Sequence, residues 1–498
     1  MTKIEFEKFF TENYAPINGI GLGRPSFNNE VLNDFTVNIP PEVLTRHGLI
    51  TGSTGTGKSR VIQLLIESLA NQGVPVFLSD IKGDMSGFNL PVNAEKVTPR
   101  AQKLNYEFIS KSYPTNYWGS QQGLINFRLN ISDVDYVVLA KLLELNETQE
   151  SHLGAIYKYA RDNKLDIVDL KSLNELILYL IKYPEKSIGS SKESLSVISR
   201  KINNLEFSNF DKFFGLPAIN INDLLTKEIN ILWLQNYQQE KFNVGNIVSC
   251  LLNKLYNDLP EIGDVTKPKL VIFIDEAHQI FENANPKLVS LIVSILKKIR
   301  SKGVGIIFNT QNADSMPEAI LEQLGLKIQF ALRAFSLKEL QQIRGVVESF
   351  PASQFYDLKE EIKSLETGTA FISTLNSSGA LLPPVKTVIF PPASFMDAIP
   401  LAELSKFGDP NLKAEYGKIQ TAKSLQLGSP LDEISVSRGG KWQINKFLER
   451  KEDQKVNREV NRRHREFRKN LILVIATLSI VAIIIILVML FTVVGKLA

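Results

Sequence analysis

Gly52-Ser53-Thr54-Gly55-Thr56-Gly57-Lys58-Ser59-Arg60 has the residue types and spacing that a polyphosphate needs. Gly52 to Ser59 spells Gly-x-x-x-x-Gly-Lys-Ser. Glycines let a backbone curl until successive N–H groups point inward at phosphate oxygens. The N-terminus of a following helix adds its positive end. Lys58 supplies a point charge to the outer phosphates, and the Ser59 hydroxyl is a ligand for Mg²⁺. Two hundred residues on, a run opens at Lys269 whose five apolar residues, 270–274, end in Asp275-Glu276. That is the second half of a nucleotide-hydrolysis site: Asp275 for the metal shell, Glu276 to polarise the attacking water. Gln311 closes a third apolar run, where a sensor would feel a γ-phosphate. Arg333 follows a fourth and is either a transition-state cation or a surface ion-pair residue. Asp80 and Asp84, in Asp80-Ile81-Lys82-Gly83-Asp84, either approach the metal and its waters or simply solvate a loop. His278 reads more as a packed helix start than as a coupling residue.

These residues need strands that end in one crevice. The apolar run 48–50 before the glycine loop reads as a buried strand, and amphipathic 61–70 reads as a helix. Residues 74–79, 269–274, 303–312 and 325–335 read as further strands. In an open α/β sheet, polar residues just past the strands' C-terminal ends face the ligand. Residues 369–375 and 385–390 read as a closing hairpin around Ser377-Ser378-Gly379. Between the two halves the alternation stops. Periodicity predicts helices at 134–145, 150–163, 170–181, 195–205 and 246–259, with one strand at 229–234. Near the start, 4–14 reads as an amphipathic helix. Gly19, Gly21 and Gly23 read as a plain turn, and 31–39 as a strand. The expected division is an N-terminal segment, 1–43; the phosphate-loop half of an α/β core, 44–112; a mainly helical insertion, 113–265; the acidic-pair half, 266–394; and an irregular segment, 395–440.

The 498 residues, 44% apolar and 22% charged, are globular in composition and enough for two or three domains. One cysteine, Cys250, excludes an intrachain disulfide framework and reads as a buried small residue. Met1 to Phe10 shows no signal-peptide pattern. Residues 441–469 hold eleven Lys/Arg against five Asp/Glu, a larger excess than the chain's net +4, so the body is mildly acidic. Bulk charge therefore gives no support for nucleic-acid binding by the body. Residues 471–494 are uncharged, about 36 Å of helix, and predict a transmembrane span. With the basic run 441–470 before it, the positive-inside rule predicts a C-terminal anchor and a cytoplasmic body.

Thr45-Arg46-His47-Gly48-Leu49-Ile50 running into the glycine loop resembles the HerA-type bacterial ATPases of the FtsK/HerA superfamily. Within it, the chain is similar to the helicase HerA-like subgroup (DUF853, the YjgR-type proteins). The likeness continues through Asp80-Ile81-Lys82-Gly83-Asp84, Leu143 to Glu150, Phe273 to His278, Ile299 to Gly305, Thr310-Gln311-Asn312 and Ala331 to Phe335, in order, over about residues 20–435. The resemblance implies a RecA-like core, ATP and Mg²⁺ at subunit interfaces, and a homo-oligomeric ring, usually a hexamer. It implies Lys58, Ser59, Asp275 and Glu276 as hydrolysis residues, Gln311 as sensor, and arginines that complete a neighbour's site at positions matched by Arg333 and Arg46. The basic run and the apolar tail depart from that pattern. The expectation is an α/β P-loop ATPase with a mostly helical insertion and a C-terminal transmembrane helix, moving a polymer, most plausibly duplex DNA. The alternative is a protein-translocation or assembly motor at a membrane. A DEAH-type helicase is disfavoured, since no Gln-x-x-Gly-Arg-x-Gly-Arg run exists.

Overall fold

The computed structural model describes residues 2–418, apart from 15–18, 187–188, 208–209, 238–244, 312, 334–336 and 377. The basic run 441–470 and the expected span 471–494 lie outside the described residues. Among the described residues, no helix is long and apolar enough to cross a membrane.

One thirteen-stranded sheet organises the described chain. Its strands are β1 (Ile20–Phe27), β2 (Glu30–Val31), β3 (Val37–Ile39), β4 (Gly48–Thr51), β5 (Val76–Asp80), β6 (Thr115–Gly119) and β7 (Ile125–Asn126). They continue as β8 (Ile229–Trp233), β9 (Leu270–Ile274), β10 (Val304–Thr310), β11 (Leu326–Gln329), β12 (Thr369–Ser373) and β13 (Val385–Ile389). The order is β2-β1-β13-β12-β11-β4-β10-β9-β5-β8-β6-β7, with β3 beside β1. From β11 to β7 every pairing is parallel; from β11 to β1 the strands alternate in direction. Helices cover both faces of a parallel sheet, so its central strands become continuous apolar runs. All residues of β4, β5, β8, β9 and β10 are buried. This is why the runs 48–50, 74–79 and 270–274 stand out as strands by hydrophobicity alone.

The helix Lys58–Asn71 leaves the glycine loop and lays Val61, Ile62, Leu65, Ile66 and Leu69 against the sheet. The helix Lys3–Tyr14 covers the antiparallel edge. Phe6, Phe10 and Tyr14 recur every fourth residue and are fully buried. Phe6 stacks on Phe27 at 4.9 Å, and the Tyr14 hydroxyl donates to Pro383 O at 2.8 Å. A buried ring of this kind stabilises by about 2 kcal/mol.

Three expectations change. Gly19, Gly21 and Gly23 do not form a turn: Gly19 leads into β1, and Ile20-Gly21-Leu22-Gly23 opens it. A Cβ on Gly23 would lie 2.1 Å from Val388 O, so glycine there admits the neighbouring strand β13. Residues 113–265 are not wholly an insertion, because β6, β7 and β8 extend the parallel sheet past β5. The helical excursion lies between them, with helices Tyr136–Leu142, Glu147–Asp162, Leu170–Lys182 and Lys192–Phe207. Its sequence marks its own boundaries: Asn146 with Gln149, and Asp169 with Ser172, form capping boxes. Lastly, residues 395–418 pack on the core, with short helices Leu401–Leu404 and Pro410–Tyr416. Just before it, buried Glu67 accepts from Ala393 N at 2.7 Å and Ser394 N at 2.8 Å, tying the entry to this stretch to the glycine-loop helix.

Candidate active site

Four neighbouring parallel strands, β4, β10, β9 and β5, end on one side of the sheet, and each delivers one part of the site. The glycine loop follows β4. Gly52, Gly55 and Gly57 have φ of 148°, 76° and 124°, conformations that side chains resist. Buried Phe330 supports the loop: a Cβ at Gly52 would lie 2.5 Å from Phe330 Cβ, and one at Gly57 2.9 Å from its Cε1. Backbone bonds fix the remainder. Ser53 N donates to Ala331 O at 2.8 Å, Gly368 N to Thr56 O at 2.8 Å, and Thr56 Oγ1 to Ser53 O at 2.7 Å. Lys58 Nζ lies across the loop, donating to Gly52 O at 2.6 Å and Ser53 O at 3.0 Å. Burial and the nearby Lys82 lower its pKa to about 8, against the pull of Glu276, Asp275 and Asp84, so it stays mainly cationic at neutral pH. Arg60 turns along its helix, donating to Gln63 Oε1 at 3.2 Å.

Asp275 and Glu276 follow β9. Asp275 is 2% exposed, and its Oδ1 accepts from Asn309 Nδ2 at 2.6 Å. Burial pushes its pKa up to about 6, against the attraction of Lys82. Glu276 takes a left-handed backbone, φ 45°. Its Oε1 pairs with the Lys82 ammonium and accepts from Gln311 Nε2 at 3.1 Å; its Oε2 lies 3.2 Å from His278 Nδ1. Burial alone would raise its pKa, but His278, Lys82 and Gln311 outweigh that and hold it at about 2. Gln311, after β10, also accepts from Thr54 Oγ1 at 3.0 Å. One amide therefore joins the glycine loop to the acidic pair.

The loop after β5 completes the crevice. Asp84 Oδ2 accepts from Ser59 Oγ at 3.0 Å. Oxygens of Asp80, Asp84 and Asp275 all lie within 4.8 Å of one another. Asp80 is committed to its own loop, with Gly83 N at 2.8 Å and Met85 N at 3.2 Å, and burial raises its pKa well above the usual range. Asp84 Oδ1 and Asp275 Oδ2, by contrast, are buried without a hydrogen-bond partner. A hydroxyl and two carboxylates with unfilled oxygens form the all-oxygen set that suits Mg²⁺. Ser59, Asp84 and Asp275 are the residues that fit it.

The two arginines separate. Arg333 N donates to Ser53 Oγ at 3.1 Å, so Arg333 stands exposed beside its own glycine loop. Arg46 precedes β4, at the end opposite the glycine loop, about 13 Å of strand away. There it lines a cavity of about 480 Å³ with Lys297, Arg300 and Glu322. It therefore does not join Lys58 and Glu276 within one subunit. Sequence reasoning missed Lys82, although it sits between the two aspartates already singled out. It also placed His278 as a packed helix start, whereas the ring reaches Glu276. Tertiary neighbours, not spacing, assign both.

A phosphate loop on a parallel-rich sheet, an acidic pair on a neighbouring strand and a polar sensor between them define a P-loop NTPase core. Residues 28–425 match the family described as "Helicase HerA-like C-terminal", and the chain belongs to that family. It is 26% identical over 319 residues to the DNA import protein CedB of Sulfolobus acidocaldarius, covering 62% of this chain and 47% of CedB. It is 24% identical over 351 residues to the DNA double-strand break repair helicase HerA of the same organism, covering 68% of this chain and 64% of HerA. The chain thus spans about half to two thirds of these relatives. In fold it is similar to VirB4 of Thermoanaerobacter pseudethanolicus, with TM-score 0.52 and 14% identity over 75% of this chain and 96% of that one. It is equally similar to the bacterial conjugative coupling protein TrwBdeltaN70, with TM-score 0.52 and 15% identity over 79% and 93%.

Proposed function

We propose that this protein is a membrane-tethered, ring-forming ATPase of HerA type that couples ATP hydrolysis to movement of a polymer, duplex DNA foremost. The observation that carries it is the convergence of Lys58, Ser59, Asp275, Glu276 and Gln311 at the ends of three adjacent parallel strands. Relatives named for DNA import and DNA repair support the choice of DNA. A TrwB structure of the same fold, with TM-score 0.50, holds an ATP analogue, which supports ATP.

Within that reading the residues divide the work. Loop N–H groups and Lys58 bind the phosphates. Mg²⁺, when bound, offsets charge on the phosphate oxygens; Ser59, Asp84 and Asp275 hold it. Glu276 orients the water that attacks the γ-phosphate, and its ionised state keeps it an acceptor. Gln311 reports the state of the glycine loop to Glu276 through Thr54. Arg333 offers a cation from the same subunit. Arg46, remote from its own loop, serves a neighbour's site in the ring.

The acidic body leaves DNA contact to local Lys/Arg. The basic run 441–469 and apolar 471–494 favour the anchor, and with it the second reading of a protein-translocation motor. Purified protein lacking 471–498 tests both: ATP turnover is measured with and without duplex DNA. Stimulation supports the DNA motor. Turnover indifferent to DNA, without DNA binding, moves the assignment to a protein cargo.

A further inference from the structure

Lys82 stands on a loop that is built, not slack. Asp80 closes it through Gly83 N and Met85 N. Gly83, with φ 77°, backs onto Gln235, where an added Cβ would lie 2.8 Å from Gln235 Cδ. The loop therefore holds the Lys82 stem in place, and its ammonium meets Glu276 Oε1. The Glu276 side chain is 6% exposed, against 38% for Lys82. Lys58, the other ammonium facing the acidic pair, is engaged with Gly52 O and Ser53 O and does not replace it.

A carboxylate oxygen has two lone pairs. Both on Glu276 Oε1 are taken, one by Lys82 and one by Gln311 Nε2 at 3.1 Å. Oε2, 3.2 Å from His278 Nδ1, keeps acceptor capacity. The backbone of Glu276 is left-handed, a conformation that surrounding contacts must maintain. Without Lys82, Oε1 would keep one neutral donor, and a mostly buried carboxylate would lose its adjacent cation.

We propose that Lys82 is a positioning residue for Glu276: it fixes one carboxylate oxygen to the protein so that the other, Oε2, is presented to the attacking water. The proposal rests on Glu276 as the residue that orients water. Lys82 acts through Glu276 and not on the nucleotide, so its loss appears in turnover and not in binding.

The test uses the full chain with Lys82→Met, Lys82→Arg, Gln311→Ala and the Lys82→Met/Gln311→Ala pair. ATP turnover and the Kd of a fluorescent ATP analogue are measured for each. Lys82→Met should lower kcat about tenfold to a hundredfold while Kd stays within about threefold. Lys82→Arg, which keeps the charge, should restore most of the rate. The double variant should fall no more than about threefold below the worse single one, because both act on Oε1. Unchanged kcat for Lys82→Met overturns the proposal. So does a weakened Kd, which would make Lys82 a phosphate ligand, or fully additive losses in the double variant. Loss of rate that arginine does not restore overturns it as well. Glu276→Gln run alongside separates the two levels. If that variant still turns over, the assignment of Glu276 fails; if it is inactive while Lys82→Met is normal, only the role of Lys82 fails.

Discussion

Lys58 and Glu276 act on the same triphosphate at different moments, so their removal should differ in kind. Lys58→Ala takes away the phosphate cation and should weaken ATP binding itself. Glu276→Gln keeps the shape and the hydrogen bond to Gln311 but loses the carboxylate. It should retain ATP binding and lose turnover by about 10²- to 10⁴-fold. Normal hydrolysis by that variant would remove Glu276 from the mechanism. His47 gives a second residue-scale outcome. It is buried with φ 59°, its Nε2 donates to Leu296 O at 2.9 Å, and its Nδ1 accepts from Ile306 N at 3.1 Å. Only the neutral ring satisfies both bonds. Burial lowers its pKa to about 4, with Arg300 pushing the same way against the Leu296 bond. The unfolded chain takes up this proton near pH 6.5 and the folded chain only near pH 4, so stability falls as pH drops through that window. The contribution is about 2 kcal/mol between pH 7 and pH 5. Urea unfolding of wild type and His47→Gln at both pH values measures it: the gap between them should shrink at pH 5.

The element that decides the site's shape is the helix Lys58–Asn71, pinned at its N-terminus and along its middle. Its N-terminus is set by the glycine loop on Phe330, and its middle by the Glu67 and Gln63 bonds to residues 393–395. Gln63 Nε2 donates to Ser394 Oγ at 2.7 Å and Phe395 O at 2.9 Å. Glu67→Ala would strand two backbone N–H groups, that of Ser394 buried and that of Ala393 partly so. The expected cost is about 3 kcal/mol, read as a lower urea midpoint. Since Glu67 lies eight residues, about 12 Å of helix, beyond Ser59, the Kd for ATP should change little where the variant remains folded. A large loss of affinity with unchanged stability would refute this division between support and site.

For the whole molecule, the placement of the two arginines predicts different outcomes when variants are mixed. Arg46→Ala and Glu276→Gln subunits should each be inactive alone and recover part of the activity together. Some interfaces then join an intact Glu276 to an intact neighbouring Arg46. Arg333→Ala mixed with Glu276→Gln should recover none, because Arg333 and Glu276 serve the same subunit's site. Rescue of the second pair and not the first would reverse the assignment. The anchor gives the other large-scale outcome. Deleting 471–498 should leave a folded, nucleotide-binding protein with weak, salt-sensitive membrane affinity from the basic run, each Lys/Arg near the surface contributing about 1 kcal/mol. Aggregated, inactive protein from a well-expressed truncation would mean that 471–494 packs into the body.

By itself the sequence determined whatever rests on local pattern. Gly52 to Ser59, the buried runs that became β4, β5, β9 and β10, and Asp275-Glu276 at a strand end are legible because a glycine loop and a strand buried on both faces each need contiguous residues of a particular type. The helices between 134 and 259 were legible for the same reason, through periodicity. Tertiary structure alone decided what depends on residues far apart in the chain. That β8 and β6 continue the sheet follows from the pairing of β8 with β5 and of β6 with β8, which no local run encodes. Gly23 reads as a turn until Val388 lies 2.1 Å from where its Cβ would stand. Lys82 and Glu276 are 194 positions apart in sequence. Arg46 and Lys58, only twelve apart, sit at opposite ends of one strand. A strand carries its two ends away from each other, and a sheet brings the ends of distant strands together.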